Sequence, residues 1–308
     1  MNSRLLLAFV LLVACFLTAV PAQAQEDDAP TAEVKEKPQP ARKAFESAIL
    51  IDQQTDVVNS AKTLEWNIQH RFGPVSNGAK DLYGLFAPSN IRLGFSYTVI
   101  DRVGVGFGLS KINVTNPFID VNAKVKLLEQ ARAGGSPVNV TAFGSASIDT
   151  RNGSNFAEGL HRMAYFTQVI VSRRVSSKFS AQASFMMSHH NAVDSLYKND
   201  VFGFGLAARY KISSQSSLLL EWTQPLTQHP INDAPAGIQR DAGPNMNLAV
   251  GMEVATSSHA FQFFLGACRD LLPQYNLSFN TGSWTSDVNG SNKLSFVAGF
   301  NMTRLWNF

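Results

Sequence analysis

The chain has 308 residues, with 26 Lys+Arg against 23 Asp+Glu and 45% hydrophobic residues. This near balance, without a basic stripe interleaved with aromatics, excludes an electrostatic nucleic-acid binder. Beyond the first 24 residues no run of eighteen apolar residues occurs, which excludes a transmembrane helix, but apolar content spread this thinly suits strands that cross a bilayer.

Residues 1–24 predict a secretory signal peptide. Met1-Asn2-Ser3-Arg4 is a basic start, Leu5 to Val20 an apolar core, and Ala22-Gln23-Ala24 a small-x-small cleavage site. An alternative reading takes Leu12-Val13-Ala14-Cys15 as a lipoprotein box, although the apolar run continues past Cys15. With Cys15 removed, Cys268 is the only cysteine, so neither an internal disulfide nor a Cys-based zinc site is expected. Its ordinary reading is a small strand residue rather than a reactive thiol.

Residues 25–43 (QEDDAPTAEVKEKPQPARK) are rich in charge, Pro and Ala and predict a disordered periplasmic leader. Residues 44–62 are more apolar and are expected to form a cap or plug for the strand-rich region after them. From Thr63 to Phe308 the pattern has period two. Leu64, Trp66 and Ile68 alternate with Glu65, Asn67 and Gln69. Ile91 to Val99 alternates with Arg92 to Thr98, and Val103 to Leu109 with Gly104, Gly106 and Gly108. Similar segments lie at 138–142, 163–169, 202–209, 218–223, 245–252, 261–265 and 294–302. Each is roughly ten residues, the length that spans a bilayer when tilted.

About twelve such strands predict an all-β fold, a transmembrane up-and-down antiparallel β-barrel. A secreted sandwich alternates too, and the connections argue against it. Links after even-numbered strands are mostly tight (Asp101-Arg102, 172–178, 213–216, 256–258), with a somewhat longer one at 129–137. Several after odd-numbered strands are long (73–90, 225–243, 269–291). Such asymmetry is the pattern of an outer-membrane barrel with both termini periplasmic. The terminal Thr303–Phe308 strand resembles the signal read by the barrel-assembly machinery.

Several stretches also resemble an uncharacterised Bacteroidota family of outer-membrane β-barrels, a domain of unknown function. They are Phe45–Ser47 (FES), Leu64–Pro74 (LEWNIQHRFGP), Ala87–Phe95 (APSNIRLGF), Thr98–Val103 (TVIDRV), Lys198–Phe202 (KNDVF), Ala208–Lys211 (ARYK), His259–Gln262 (HAFQ), Thr281–Trp284 (TGSW) and Phe300–Arg304 (FNMTR). The resemblance runs through residues 45–308. It implies fold and location and no activity. Ala267-Cys268 stands where the family pattern leads one to expect Asn-Ser, which puts in doubt any function tied to that polar pair.

Strand parity turns Glu65, Arg71, Arg92, Lys124, Lys126, Arg209, Lys211, Glu221 and Glu253 inward, with Gly104, Gly106 and Gly108, as lumen-lining residues. Facing lipid, an Arg or Lys would cost about 2–4 kcal/mol at the midplane. The glycines admit two readings: they widen the lumen or admit another segment, or they relieve coiling strain. No catalytic residues, metal site or cofactor are expected. The best cluster, His189-His190 with Asp194, places adjacent histidines on opposite faces. The other histidines (His70, His161, His229, His259) are scattered. Gly104–Gly108 is no dinucleotide fingerprint, since no helix follows. The expected function is a passive channel or transporter for small solutes in the bacterial outer membrane. The alternative is a structural or partner-binding barrel with an occluded lumen, and a membrane hydrolase stands third. Expected partners are outer-membrane lipid, the barrel-assembly machinery during biogenesis and a small solute.

Overall fold

A computed structural model describes residues 38–112, 116–229, 243–288 and 291–308. The signal peptide, most of the leader and most of the 225–243 link lie outside the described residues.

Two short strands, β1 (Ile49–Leu50) and β2 (Gln53–Gln54), come first. The long strands are β3 (Thr63–Pro74), β4 (Asn90–Ile100), β5 (Val103–Ile112), β6 (Asn116–Leu128), β7 (Asn139–Asp149) and β8 (Met163–Arg174). They continue as β9 (Phe179–His190), β10 (Asp200–Lys211), β11 (Ser216–Pro225), β12 (Asn247–Ala255) and β13 (His259–Gly266). A helix α1 (Pro273–Phe279) and a hairpin of β14 (Thr285–Val288) and β15 (Ser291–Leu294) precede the last strand, β16 (Val297–Asn307).

Twelve strands, β3 to β13 and β16, form one closed antiparallel barrel in chain order. Closure is made by β16 on β3, with Asn307 opposite Thr63 and Gly299 opposite Arg71. A closed sheet satisfies every strand's backbone groups internally, the condition for residing in hydrocarbon. Parity does the sorting. Val105, Phe107, Leu109, Val169, Leu220 and Phe263 are exposed outward, while Asn67, Gln69, Arg92, Gln168 and Glu221 are buried inward. The outer surface is therefore an apolar band suited to lipid.

The links differ at the two ends. Residues 101–102, 175–178, 212–215 and 256–258 are tight turns, with 129–138 somewhat longer. At the other end 75–89, 150–162, 191–199, 226–246 and 267–296 are long. Thr63 and Asn307 both lie at the short-turn end, where the Phe308 N–H donates to the Lys62 carbonyl.

Three local expectations change. Leu294 and Phe296, read as part of the last strand, precede it. Leu294 pairs with Thr285 in the β14–β15 hairpin, and Phe296 rests on Trp284 with ring centroids 5.3 Å apart. The hairpin pairs the Leu294 backbone, and the Phe296 carbonyl accepts from Val75 N–H at 3.0 Å. Asn245 and Met246 precede β12, because the Asn245 N–H is drawn to the Asn280 carbonyl. Residues 38–43, read as the end of a disordered leader, lie along the 129–138 link. There Ala41 N–H donates to Gln130 O at 2.7 Å, and Arg132 N–H to Gln39 O at 2.9 Å. An unpaired link backbone offers those bonds to any extended segment beside it.

Candidate functional site

Residues 44–62 rise into the barrel from the short-turn end, reverse at Ile51-Asp52, and return to enter β3. The β1–β2 pairing is only two residues long, Ile49 with Gln54 and Leu50 with Gln53. Barrel side chains supply the remaining partners. Glu221 Oε2 accepts the N–H groups of Asp52 and Gln53, both at 2.9 Å. Gln262 Oε1 accepts from Ile51 N–H at 3.1 Å, and its amide donates to Ile49 O at 2.9 Å. Gln182 donates to Gln54 O, and Lys124 Nζ to Ala48 O, each at 2.9 Å. Ile51 has φ 55°, a left-handed conformation that costs a β-branched residue about 1–3 kcal/mol. It is fully buried, and its carbonyl accepts from Arg71 at 3.0 Å and from Asn301 at 2.8 Å.

Apolar packing completes the fit. Ala44, Phe45, Leu50, Ile51 and Val57 cluster with inward Ala207, Leu219, Ala249 and Phe264. From the long-loop end α1 descends, and Leu277 joins Phe143, Phe166, Met186 and Val201. Ser278 shares a 2.6 Å hydrogen bond with Ser188, and Gln274 donates to Ser147 Oγ at 2.6 Å.

Three arginines each hold a carboxylate within the barrel. Arg71 Nη2 lies 2.7 Å from Asp52 Oδ1. Arg92 grips Asp120 through Nε at 2.9 Å and Nη2 at 2.7 Å, and reaches Asn67 Oδ1 at 3.1 Å. Arg209 bridges Glu253 and Glu46, each at 3.1 Å. Glu65 accepts from Asn59 at 2.8 Å. Lys126 is buried and lies 3.7 Å from Glu129. Lys211, at the end of β10, is half-buried near the short-turn rim. A residual cavity of about 60 Å³, bordered by Asn59, Glu65, Arg92, Gly104, Asn122 and Lys124, has room for a few waters.

The glycines on two strands divide by what replaces their side chains. A methyl on Gly108 would collide with Arg92 and Asp120, and one on Gly106 with Asn122 and Ser96, whereas Gly104 has nothing nearer than 3.9 Å. On β10, a methyl at Gly205 would strike Gln53 of the hairpin, and one at Gly203 would strike Leu277 of α1. Bare wall on β10 thus admits inserted chain, and on β5 it admits neighbouring side chains.

Sequence reasoning passed over Asp120, Gln262, Asn301 and Asn247, all inward, and the acidic partners Glu46 and Asp52. Asp120 shares the parity of Lys124, so its signal was present. Asn247 ties the two insertions together. Its amide donates to Asp52 Oδ2 at 3.0 Å, while its Oδ1 accepts the N–H groups of Ala267 and Cys268 at 3.1 and 3.2 Å. Cys268 lies just past β13 and is buried, which pushes its thiol pKa well up. His189 is set apart from His190 and Asp194, which line one cavity at the long-loop end. His189 bonds Asp200 at 2.8 Å on the outer face, and His190 approaches the Gln274 carbonyl at 3.4 Å.

An apolar outer band, a charged inner wall and closed strand order define a membrane-spanning β-barrel with a segment folded into its lumen. Residues 45–306 match the family described as "Membrane bound beta barrel domain (DUF5777)", and the chain belongs to that family. No curated protein matches it. Among solved structures it is similar to the COG4313 outer membrane channel from Pseudomonas putida F1, with 14% identity, TM-score 0.49, and 81% of this chain and 97% of that chain covered. It is similar also to the NanC porin, with 10% identity, TM-score 0.48, and coverage of 79% and 99%. The KdgM porin in complex with disordered oligogalacturonate gives 7% identity, TM-score 0.46, and coverage of 79% and 98%.

Proposed function

We propose that the protein is an outer-membrane channel for small solutes whose lumen is closed by residues 44–62 and opens when that segment is displaced. The carrying observation is the wall behind the hairpin. Asn67, Gln69, Gln168, Gln182 and Ser184 are polar and inward. A permanently filled core is cheaper to build from apolar groups, because each buried polar group needs its own partner. A polar wall remains wettable once the hairpin leaves it, and its charges would bias which solute passes. The hairpin is held by side-chain bonds and two residues of pairing rather than by the barrel's ladders, so it can leave without breaking the sheet.

In this reading the segment at 1–24 exports the chain and 25–43 is a periplasmic leader. The short-turn end, with both termini, faces the periplasm, and the barrel-assembly machinery inserts the barrel. The sequence resemblance supports an origin among Bacteroidota, and this reading assigns the barrel transport without chemistry. A second reading, a structural or partner-binding barrel, is favoured by the insertion of both the hairpin and α1. Planar-bilayer recording separates the two. The full chain is expected to conduct weakly and a variant lacking residues 44–58 to conduct at least tenfold more. If that variant folds and passes no current at any voltage, the channel reading fails.

A further inference from the structure

At the long-loop end a cavity of about 540 Å³ opens between the 150–162 link, the 191–199 link and α1. It lies apart from the hairpin. One wall is aromatic. His190 lies 5.0 Å from Tyr275 and 4.7 Å from Phe279, and Tyr197 lies 5.5 Å from Phe279, ring centroid to ring centroid. The lining also carries three arginines. Arg162 stands 4.9 Å and Arg151 5.6 Å from the centroid of Phe156, and Arg269 lines the same space.

The charges are unequally committed. Asp149 Oδ2 takes Arg151 through both Nε at 2.9 Å and Nη2 at 2.7 Å. Asp194 accepts from Ser195 Oγ and Leu196 N–H within its own turn. Burial pushes the Asp270 carboxyl up to about 6, so it is less fully ionised near neutrality than a free one. Among the described residues no carboxylate stands within ion-pair distance of Arg162 or Arg269. Arg162 is half-buried and lines the cavity, so a bound anion would meet a guanidinium that no carboxylate holds.

We propose that this cavity is a binding site for a small ring-bearing carboxylate, its carboxylate held by Arg162 and its ring laid on the aromatic wall. The volume falls within the range of small-molecule sites. A planar guanidinium fork matches a carboxylate, and aromatic faces bind the π face of an aromatic ring or the C–H face of a sugar ring. Aromatic acids and acidic sugars share a carboxylate beside such an apolar ring face. The site stands whether or not the lumen conducts.

The test is calorimetric titration of the full chain in detergent with glucuronate, benzoate and glucose. Saturable binding of glucuronate or benzoate is expected, with glucose at least tenfold weaker, and the tighter acid identifies the source. Arg162→Gln is expected to weaken the acid at least tenfold, and Phe156→Leu several-fold. Both lie in a link outside the barrel strands, and heat-modifiable gel mobility checks that each variant folds. Absence of saturable binding by both acids, equal affinity for glucose, or unchanged affinity in Arg162→Gln would each overturn the site. Because no current is measured, such failure would leave the channel reading untouched.

Discussion

Arg71 Nη2 lies 2.7 Å from Asp52 Oδ1, and this pair joins the first barrel strand to the tip of the inserted hairpin. The Arg71 side chain is 0% exposed and that of Asp52 is 8%. Its guanidinium also lies 4.4 Å from the centroid of Phe264 and donates to Asn301 at 3.0 Å. An ion pair this deep does not measure stability by itself, but removing one partner leaves a buried charge, at a cost of about 3–5 kcal/mol. Arg71→Leu is therefore expected to free the hairpin, seen as faster amide exchange at Ile49–Gln54. The double variant with Asp52→Asn should lose less than the sum of the single losses. Protection unchanged in Arg71→Leu would remove the pair from the hairpin's anchorage.

Glu221 makes a separate anchor, with one carboxylate oxygen accepting two consecutive backbone N–H groups. A buried N–H left without its acceptor costs about 1–3 kcal/mol. Glu221→Leu, which removes the acceptor, is expected to raise single-channel open probability by tenfold or more, with the barrel's β-sheet circular dichroism unchanged. If open probability stays at the level of the unaltered chain, Glu221 does not hold the channel shut.

Gly104 and Gly108 share a strand and a face, and their substitutions should differ. Gly108→Ala drives a methyl into the Arg92–Asp120 pair, so a loss of about 1–3 kcal/mol is expected. Gly104→Ala faces open space and should change stability by less than about 0.5 kcal/mol. Thermal midpoints of heat-modifiable mobility in detergent compare them. Equal midpoints would mean that the wall of β5 yields to a methyl at both positions.

Asp270 predicts a pH dependence at the long-loop end. Burial raises its pKa from 3.8 to about 6, so folding favours the protonated form. Its effect is absent below about pH 4. Stability falls as pH rises from about 4 to 6, and the penalty is constant above. Asp270→Asn is expected to flatten the thermal midpoint between pH 4 and 7 and to raise it at pH 7. A midpoint whose fall over that range survives the substitution would place the titrating group elsewhere.

The strands were legible in the sequence because parity is local. Val105 beside Gly106, and Ile91 beside Arg92, need only their neighbours to declare an outer and an inner face. The tight turns and long links added closure and a common end for Thr63 and Asn307. Inward apolar residues such as Phe143, Met186, Leu219 and Phe264 carried a further signal, since they pack against inserted chain.

Arg71 could be placed inside from its sequence position, but its partner Asp52 lies off the ladder, on a hairpin with two residues of pairing. The seven-residue α1 is too short to show a helical period. The two arms of Asn247 meet only when β12, the hairpin tip and the link after β13 occupy one place. Alternation along the chain determined what faces lipid and what faces inward, because side-chain direction follows from the backbone alone. Which inward groups meet, and where residues 44–62, expected as a cap or plug, are held among them, was decided by the register of twelve strands closing on one another. Those contacts join residues far apart in sequence, and no local pattern records them.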